Sequence, residues 1–169
     1  MTKRQSINGP IARHENPIPN ASRVGNIVMS SVIGGTNPGT RDLPPTLEQQ
    51  TANVFAAIRG DIEAAGGSVD DIVKVTFWVK DPVTQRAAIN TEWVRMFPDP
   101  AALPARHTLT LPPASKALIQ ADFTAVLSLQ APHHARFRHN RYDRPRLSPG
   151  RTNAGADPSA HRAIPWIYH

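Results

Sequence analysis

Ile72-Val73-Lys74-Val75-Thr76-Phe77-Trp78-Val79-Lys80 alternates apolar with mostly polar residues, and this alternation decides how the chain is built. Successive side chains of a strand point to opposite faces, so the period predicts Val73, Val75, Phe77 and Val79 on a buried face. Lys74, Thr76, Trp78 and Lys80 fall on the other. Upstream, Thr46-Leu47-Glu48-Gln49 has the form of a capping box, and Leu47, Thr51, Val54, Phe55, Ile58 and Ile62 then recur at helical spacing. Gly66-Gly67 is the expected stop. Downstream, Asp81-Pro82 reads as an N-cap followed by a proline at the first helical position. This second helix carries Ala87, Ile89, Trp93, Val94 and Phe97 and ends at Pro98.

A last strand, Ala117 to Leu127, alternates in the same way. Ile119, Ala121, Phe123, Ala125, Leu127 and Leu129 face one side, and Gln120, Asp122 and Thr124 face the other. Helices between strands imply crossover connections and a helical layer on one sheet face. The expected class is α+β: one mixed β-sheet with two helices packed on one face. Trp78 and Leu118 lie on the polar-leaning faces of their strands. The uncovered side of such a sheet therefore calls for a second copy of the chain.

At 169 residues the chain suits one domain with an appendage, and it holds no cysteine for disulfide or thiolate chemistry. The N-terminus has no apolar signal-like segment and no apolar run reaches membrane-spanning length, so a soluble cytoplasmic protein without membrane contact is expected. The formal charge of +6 is unevenly placed. Residues 1–130 carry 12 Lys/Arg against 11 Asp/Glu, whereas residues 131–169 carry seven Arg against Asp143 and Asp157. The expected division is a domain over 1–130 and a basic, Pro/Arg-rich tail over 131–169, disordered or loosely docked. A near-neutral domain offers no electrostatic footprint for nucleic acid, which leaves only the tail to attract one.

Pro104-Ala105-Arg106 puts a guanidinium where a strand begins, and that planar fork of donors suits a small carboxylate. Gln120 is expected on the next strand to pass nearby. His107 follows Arg106 and points to the opposite face; Asp122 shares a face with Gln120. Either is a candidate base, although a surface or interface role accounts for both. No metal site is expected, because His133 and His134 project apart and no HExxH or Cys/His cluster occurs. No cofactor is expected. Gly34-Gly35-Thr36-Asn37-Pro38-Gly39 lacks the Gly-Lys-Ser/Thr end of a P-loop.

Taken in order, several stretches resemble the Rid (YjgF) family of reactive-intermediate deaminases. They are Arg23-Val24-Gly25-Asn26, Leu47-Glu48-Gln49-Gln50-Thr51, Glu63-Ala64-Ala65-Gly66, Asp71 to Thr76, Ile89-Asn90, Pro104-Ala105-Arg106 and the last strand, and the resemblance runs from about Asn16 to Leu127. It implies a chorismate-mutase-like fold, a homotrimer with ligand sites in the clefts between subunits, and hydrolysis of 2-imino acids. It also implies that Arg106 clamps the substrate carboxylate, and that Ser31, Asn90 and Thr108 stand at pocket positions. The chain departs from the family pattern at five places. Gln120 replaces a glutamate that handles the attacking water, Val32 replaces a glycine, Ile33 a glutamine, Ile18 a pocket tyrosine and Thr108 a cysteine.

A glutamine holds water but accepts no proton at neutral pH. The expected function is therefore deamination of a small 2-imino acid or enamine to the 2-oxo acid and ammonia, with Arg106 and Gln120 as the catalytic pair. The alternative is a trimeric small-carboxylate-binding protein that has lost the family glutamate. An RNA-directed activity is the third reading, opposed by the charge balance of the domain.

Overall fold

The segment Ile72–Val79 does form a strand, and it lies inside one mixed sheet. The computed structural model describes residues 3–11 and 14–128, all within the unit Met1–Pro132. The expected tail over 131–169, and Leu129 of the last alternating stretch, lie outside the described residues. The described strands are β1 (Gln5–Ile7), β2 (Ala21–Val24), β3 (Ile27–Ser30), β4 (Ile33–Gly34), β5 (Ile72–Val79), β6 (Ala105–Thr110) and β7 (Ile119–Val126). Two α-helices, α1 (Leu47–Ala64) and α2 (Arg86–Met96), complete the α+β architecture. The sheet runs β1-β2-β3-β7-β5-β6, with the two-residue β4 also pairing with β7. Only β5 and β6 are parallel; α2 makes the crossover that this pairing requires.

Both helices pack on one face of the sheet. Val75, Phe77 and Val79 of β5 and Ile119, Ala121, Phe123 and Ala125 of β7 meet Val54, Phe55, Ile58 and Ile62 of α1 and Ile89 and Trp93 of α2. Phe77 is the centre of this layer. It stacks on Phe55 at 5.4 Å and meets Trp93 edge-on at 6.2 Å, with no exposed surface of its own. Truncation of such a ring to alanine typically costs about 3–5 kcal/mol.

Local chemistry sets the helix ends. Thr46 Oγ1 accepts from Gln49 N at 3.3 Å, but the Gln49 side chain meets that hydroxyl and not the Thr46 backbone, so only half of the expected capping box forms. At the other end Gly66 adopts φ +84°, Gly66 N donates to Glu63 O and Gly67 N to Ile62 O. This is a Schellman ending, in which glycine takes the left-handed turn without a Cβ penalty. Arg23 Nη1 adds a bond to Ala65 O at 2.7 Å.

Three expectations need correction. A register shift between Ile72 and Lys74 turns Ile72 into the core and leaves Val73 48% exposed; a bulge inserts one residue that a strict period of two does not foresee. Asp81 does not cap α2. Its carboxylate binds Val83 N, Thr84 N and Thr84 Oγ1 and closes a separate turn, and the helix begins only at Arg86. Within α2 the buried stripe is Ile89, Trp93 and Met96, while Val94 is 60% exposed.

The opposite face of the sheet has no helix on it among the described residues. Val24, Ile27, Met29 and Val126 are paired across β2, β3 and β7 and stay 41–58% exposed there. No described helix is long and apolar enough to cross a membrane.

Candidate functional site

The anticipated site residues fall into two groups on opposite faces of the sheet. Arg106 lies beside Val75 in the β5–β6 register, and Thr108 beside Phe77, so both point to the helix-bearing face. Gln120 lies beside Trp78, and Asp122 beside Thr76, on the open face. His107 also pairs with Thr76 there. The expectation that the strand bearing Gln120 passes next to Arg106 is thus corrected, because β5 stands between β6 and β7. Within one chain Arg106 and Gln120 do not share a pocket.

The first group is a preset guanidinium. Arg106 is half-buried, its guanidinium carbon lies 5.0 Å from the Trp93 ring centroid, and its Nη1 donates to Asn90 Oδ1 at 2.9 Å. Stacking on an aromatic face fixes the plane of the fork. Burial, and secondarily the neighbouring Arg86, lower the pKa of Arg106 from its ordinary value. Among the described residues no carboxylate forms an ion pair with it. A cation partly stripped of water and placed beside another cation is a favourable seat for an anion. Asn90 and Arg106 therefore meet, as side chains on α2 and β6. Thr108 is half-buried two residues further along the same strand face.

The second group lines a cavity of about 510 Å³ between the 14–20 segment, the 32–41 segment and α1, with Gln120 in its wall. Ile18 and Val32 line it and are 47% and 45% exposed. Ser31 sits beside it without joining the lining; its Oγ donates to Pro19 O at 2.7 Å and its N to Asn20 O at 2.7 Å. The hydroxyl that the resemblance places in a pocket thus tethers the N-terminal segment here.

Two buttresses hold the chain that leads into Gln120. Buried Gln50 accepts from Leu118 N at 2.9 Å while its Nε2 donates to Pro44 O at 2.7 Å. Lys80 Nζ donates to Pro112 O, Pro113 O and Ser115 O at 3.1, 3.1 and 2.6 Å. An ammonium satisfied by three carbonyls pins a proline-rich loop that has no ladder of its own.

One residue of this cavity was missed in the sequence. Asp61 of α1 lines it at 2% exposure. Asp61 Oδ1 accepts from Gly9 N at 3.1 Å and from Asn20 Nδ2 at 2.9 Å. Burial raises its pKa, partly offset by the Asn20 and Gly9 hydrogen bonds and by His14. The signal was available: Asp61 interrupts the apolar stripe of Val54, Ile58 and Ile62, where an acid has no business unless it has partners. Among the described residues no group of three His, Cys, Asp or Glu could hold a metal ion.

A RutC family protein from Haemophilus influenzae is 36% identical over 81 residues, 48% of this chain and 62% of that protein. The 2-iminobutanoate/2-iminopropanoate deaminase of Escherichia coli is 33% identical over 84 residues, 49% of this chain and 65% of that protein. The matches thus span somewhat less than two thirds of these relatives. Among solved structures, RidA from an Antarctic Psychrobacter superposes with a TM-score of 0.66 at 28% identity, covering 73% of this chain and 99% of that one. An endoribonuclease L-PSP structure from Entamoeba histolytica gives the same TM-score at 25% identity, covering 74% and 100%. The family described as endoribonuclease L-PSP matches residues 12–126, so this chain, with its mixed sheet and two helices, belongs to that family and, within it, with the Rid (YjgF) proteins.

Proposed function

We propose that the protein hydrolyses a small 2-imino acid or its enamine tautomer to the 2-oxo acid and ammonia. The observation that carries this reading is the half-buried guanidinium of Arg106, stacked on Trp93, bonded to Asn90 and free of any acidic partner among the described residues. Its Nη2 and Nε make no hydrogen bond to a described residue, which leaves a fork for a carboxylate. The deaminase named among the relatives acts on substrates of this kind.

In the proposed reaction Arg106 holds the carboxylate and Gln120 orients a water molecule. Water adds to the C=N carbon and its proton passes to the nitrogen of the resulting carbinolamine. The hydroxyl proton then moves to the amine, the C–N bond breaks, ammonia leaves and the carbonyl forms. Gln120 takes no proton, so positioning and the charge of Arg106 carry the acceleration. The imine is already electrophilic enough for this to suffice.

Because Arg106 and Gln120 lie on opposite faces of one sheet, a complete site needs a second copy of the chain. The exposed Val24, Ile27, Met29 and Val126 support association through the open face, and a symmetric homotrimer with three equivalent clefts is the arrangement we propose. The assay generates 2-iminopropanoate or a bulkier imino acid in situ and follows its capture as the semicarbazone. Enzyme-dependent loss of semicarbazone is expected. No rate above free solution at stoichiometric protein, for any side chain, overturns the reading.

Gln120 itself favours a second reading, a carboxylate-binding protein that performs no chemistry. Ligand bound at Arg106 without turnover, together with activity gained in Gln120→Glu, is its signature.

A further inference from the structure

The cavity of about 510 Å³ that has Gln120 in its wall is larger than a three-carbon imino acid needs, and its lining includes a buried acid. Ile18, Val32 and Gln120 form one part of the wall; Asp61, with His14 and Thr36, belongs to the remainder. Building on the deaminase reading, we propose that this remainder is a side-chain subsite in which Asp61 receives a primary ammonium group of the ligand.

Four observations lead there. Asp61 is 98% buried on a rigid helix and yet faces an open volume. Both of its hydrogen bonds from described residues fall on Oδ1, which fixes the carboxylate and leaves Oδ2 without a bond to a described residue. The other charged groups of the lining are Glu15 and Arg41, which pair with each other, and His14, which acts on Asp61 only at a distance. No described cation forms an ion pair with Asp61. A carboxylate so placed is costly to ionise, and a ligand ammonium restores the missing partner. Tethering Gly9 and Asn20 requires only an acceptor oxygen, which an asparagine would supply; the charge is left over for another task.

The subsite is tested with compounds that do not react. Binding of 5-aminopentanoate and 6-aminohexanoate to the full-length protein is compared by calorimetry with pentanoate and hexanoate. At least one amino acid should bind about tenfold more tightly than the plain acid of its length, as a charge-assisted hydrogen bond implies. In Asp61→Asn that advantage should fall to within about twofold while the plain acids bind as before. Equal affinities in the wild type, or an advantage that survives in Asp61→Asn, overturns the proposal. The wild-type comparison stands even if the variant fails to fold. Should the plain acids not bind at all, the carboxylate reading of Arg106 has failed. Pentylamine then decides the subsite alone, retained in an Asp61-dependent way if the proposal holds and not retained if it fails.

Discussion

Arg106 and Gln120 sit on opposite faces of the same sheet, and their surroundings are made differently. Around Arg106 an aromatic ring, an amide and a strand edge fix one cation, and the residues that resemble the family's are present: Arg106 and Asn90. Three of the residues that depart from the family, Gln120, Val32 and Ile18, line one cavity together with a buried acid, Asp61. Arg106 is held by packing and stays charged around neutral pH. The cavity is held by polar tethers to an N-terminal segment, and its charge depends on protonation. On the proposed reading, Arg106 and Asn90 keep the family pattern where a carboxylate would be held, while Gln120, Val32 and Ile18 depart from it where the rest of the ligand would lie.

The largest expected effect breaks this contrast from the cavity side. Gln120→Glu supplies the base that the glutamine lacks, and turnover of a 2-imino acid in the semicarbazone assay should rise by about a hundredfold or more. An unchanged rate would mean that water activation does not pass through position 120. A smaller effect tests the other side. Arg106→Lys keeps the charge and loses the planar fork, so affinity for a small carboxylate should fall at least about tenfold by calorimetry, with folding and oligomer intact. If the oligomer dissociates while carboxylate binding survives, Arg106 is a structural residue.

The smallest effect concerns stability. Asp61 has a folded-state pKa raised above its ordinary 3.8, so the folded protein binds the proton more firmly than the unfolded chain. The stability that comes from the protonated form is complete below 3.8 and is lost as pH rises through the folded value. Asp61→Asn keeps an acceptor for Gly9 N and Asn20 Nδ2 and removes the ionisation. Relative to the wild type, the variant should gain stability from acid to neutral pH in denaturant titrations; a difference independent of pH would contradict the assigned burial. The three measurements together separate a gripping face that is electrostatically constant from a receiving face that is not.

Much of the fold was legible because its signals are local. The alternation at Ile119–Leu127, the stripe of α1 and the Gly66-Gly67 ending all depend on neighbours in sequence, and all reappear in space. What failed depended on competition or on distance. Asp81 found partners two and three residues on and never reached the helix. Val73 was displaced by a bulge that only the partner strand defines. Arg106 and Gln120 look adjacent along the chain, but strand order is a tertiary property, and β5 enters between them. Asp61 escaped notice because a helix scanned for its apolar stripe hides a polar residue within that stripe.

Gly9 and Asp61 carry one more consequence, for the routes by which such a chain can change. A Cβ at residue 9 would collide with Asp61 Oδ1, so any side chain there forces the carboxylate to shift and disturbs its bond from Gly9 N. A change at residue 9 is therefore felt first at Asp61, on a helix 52 residues further along the chain, and through it at the cavity.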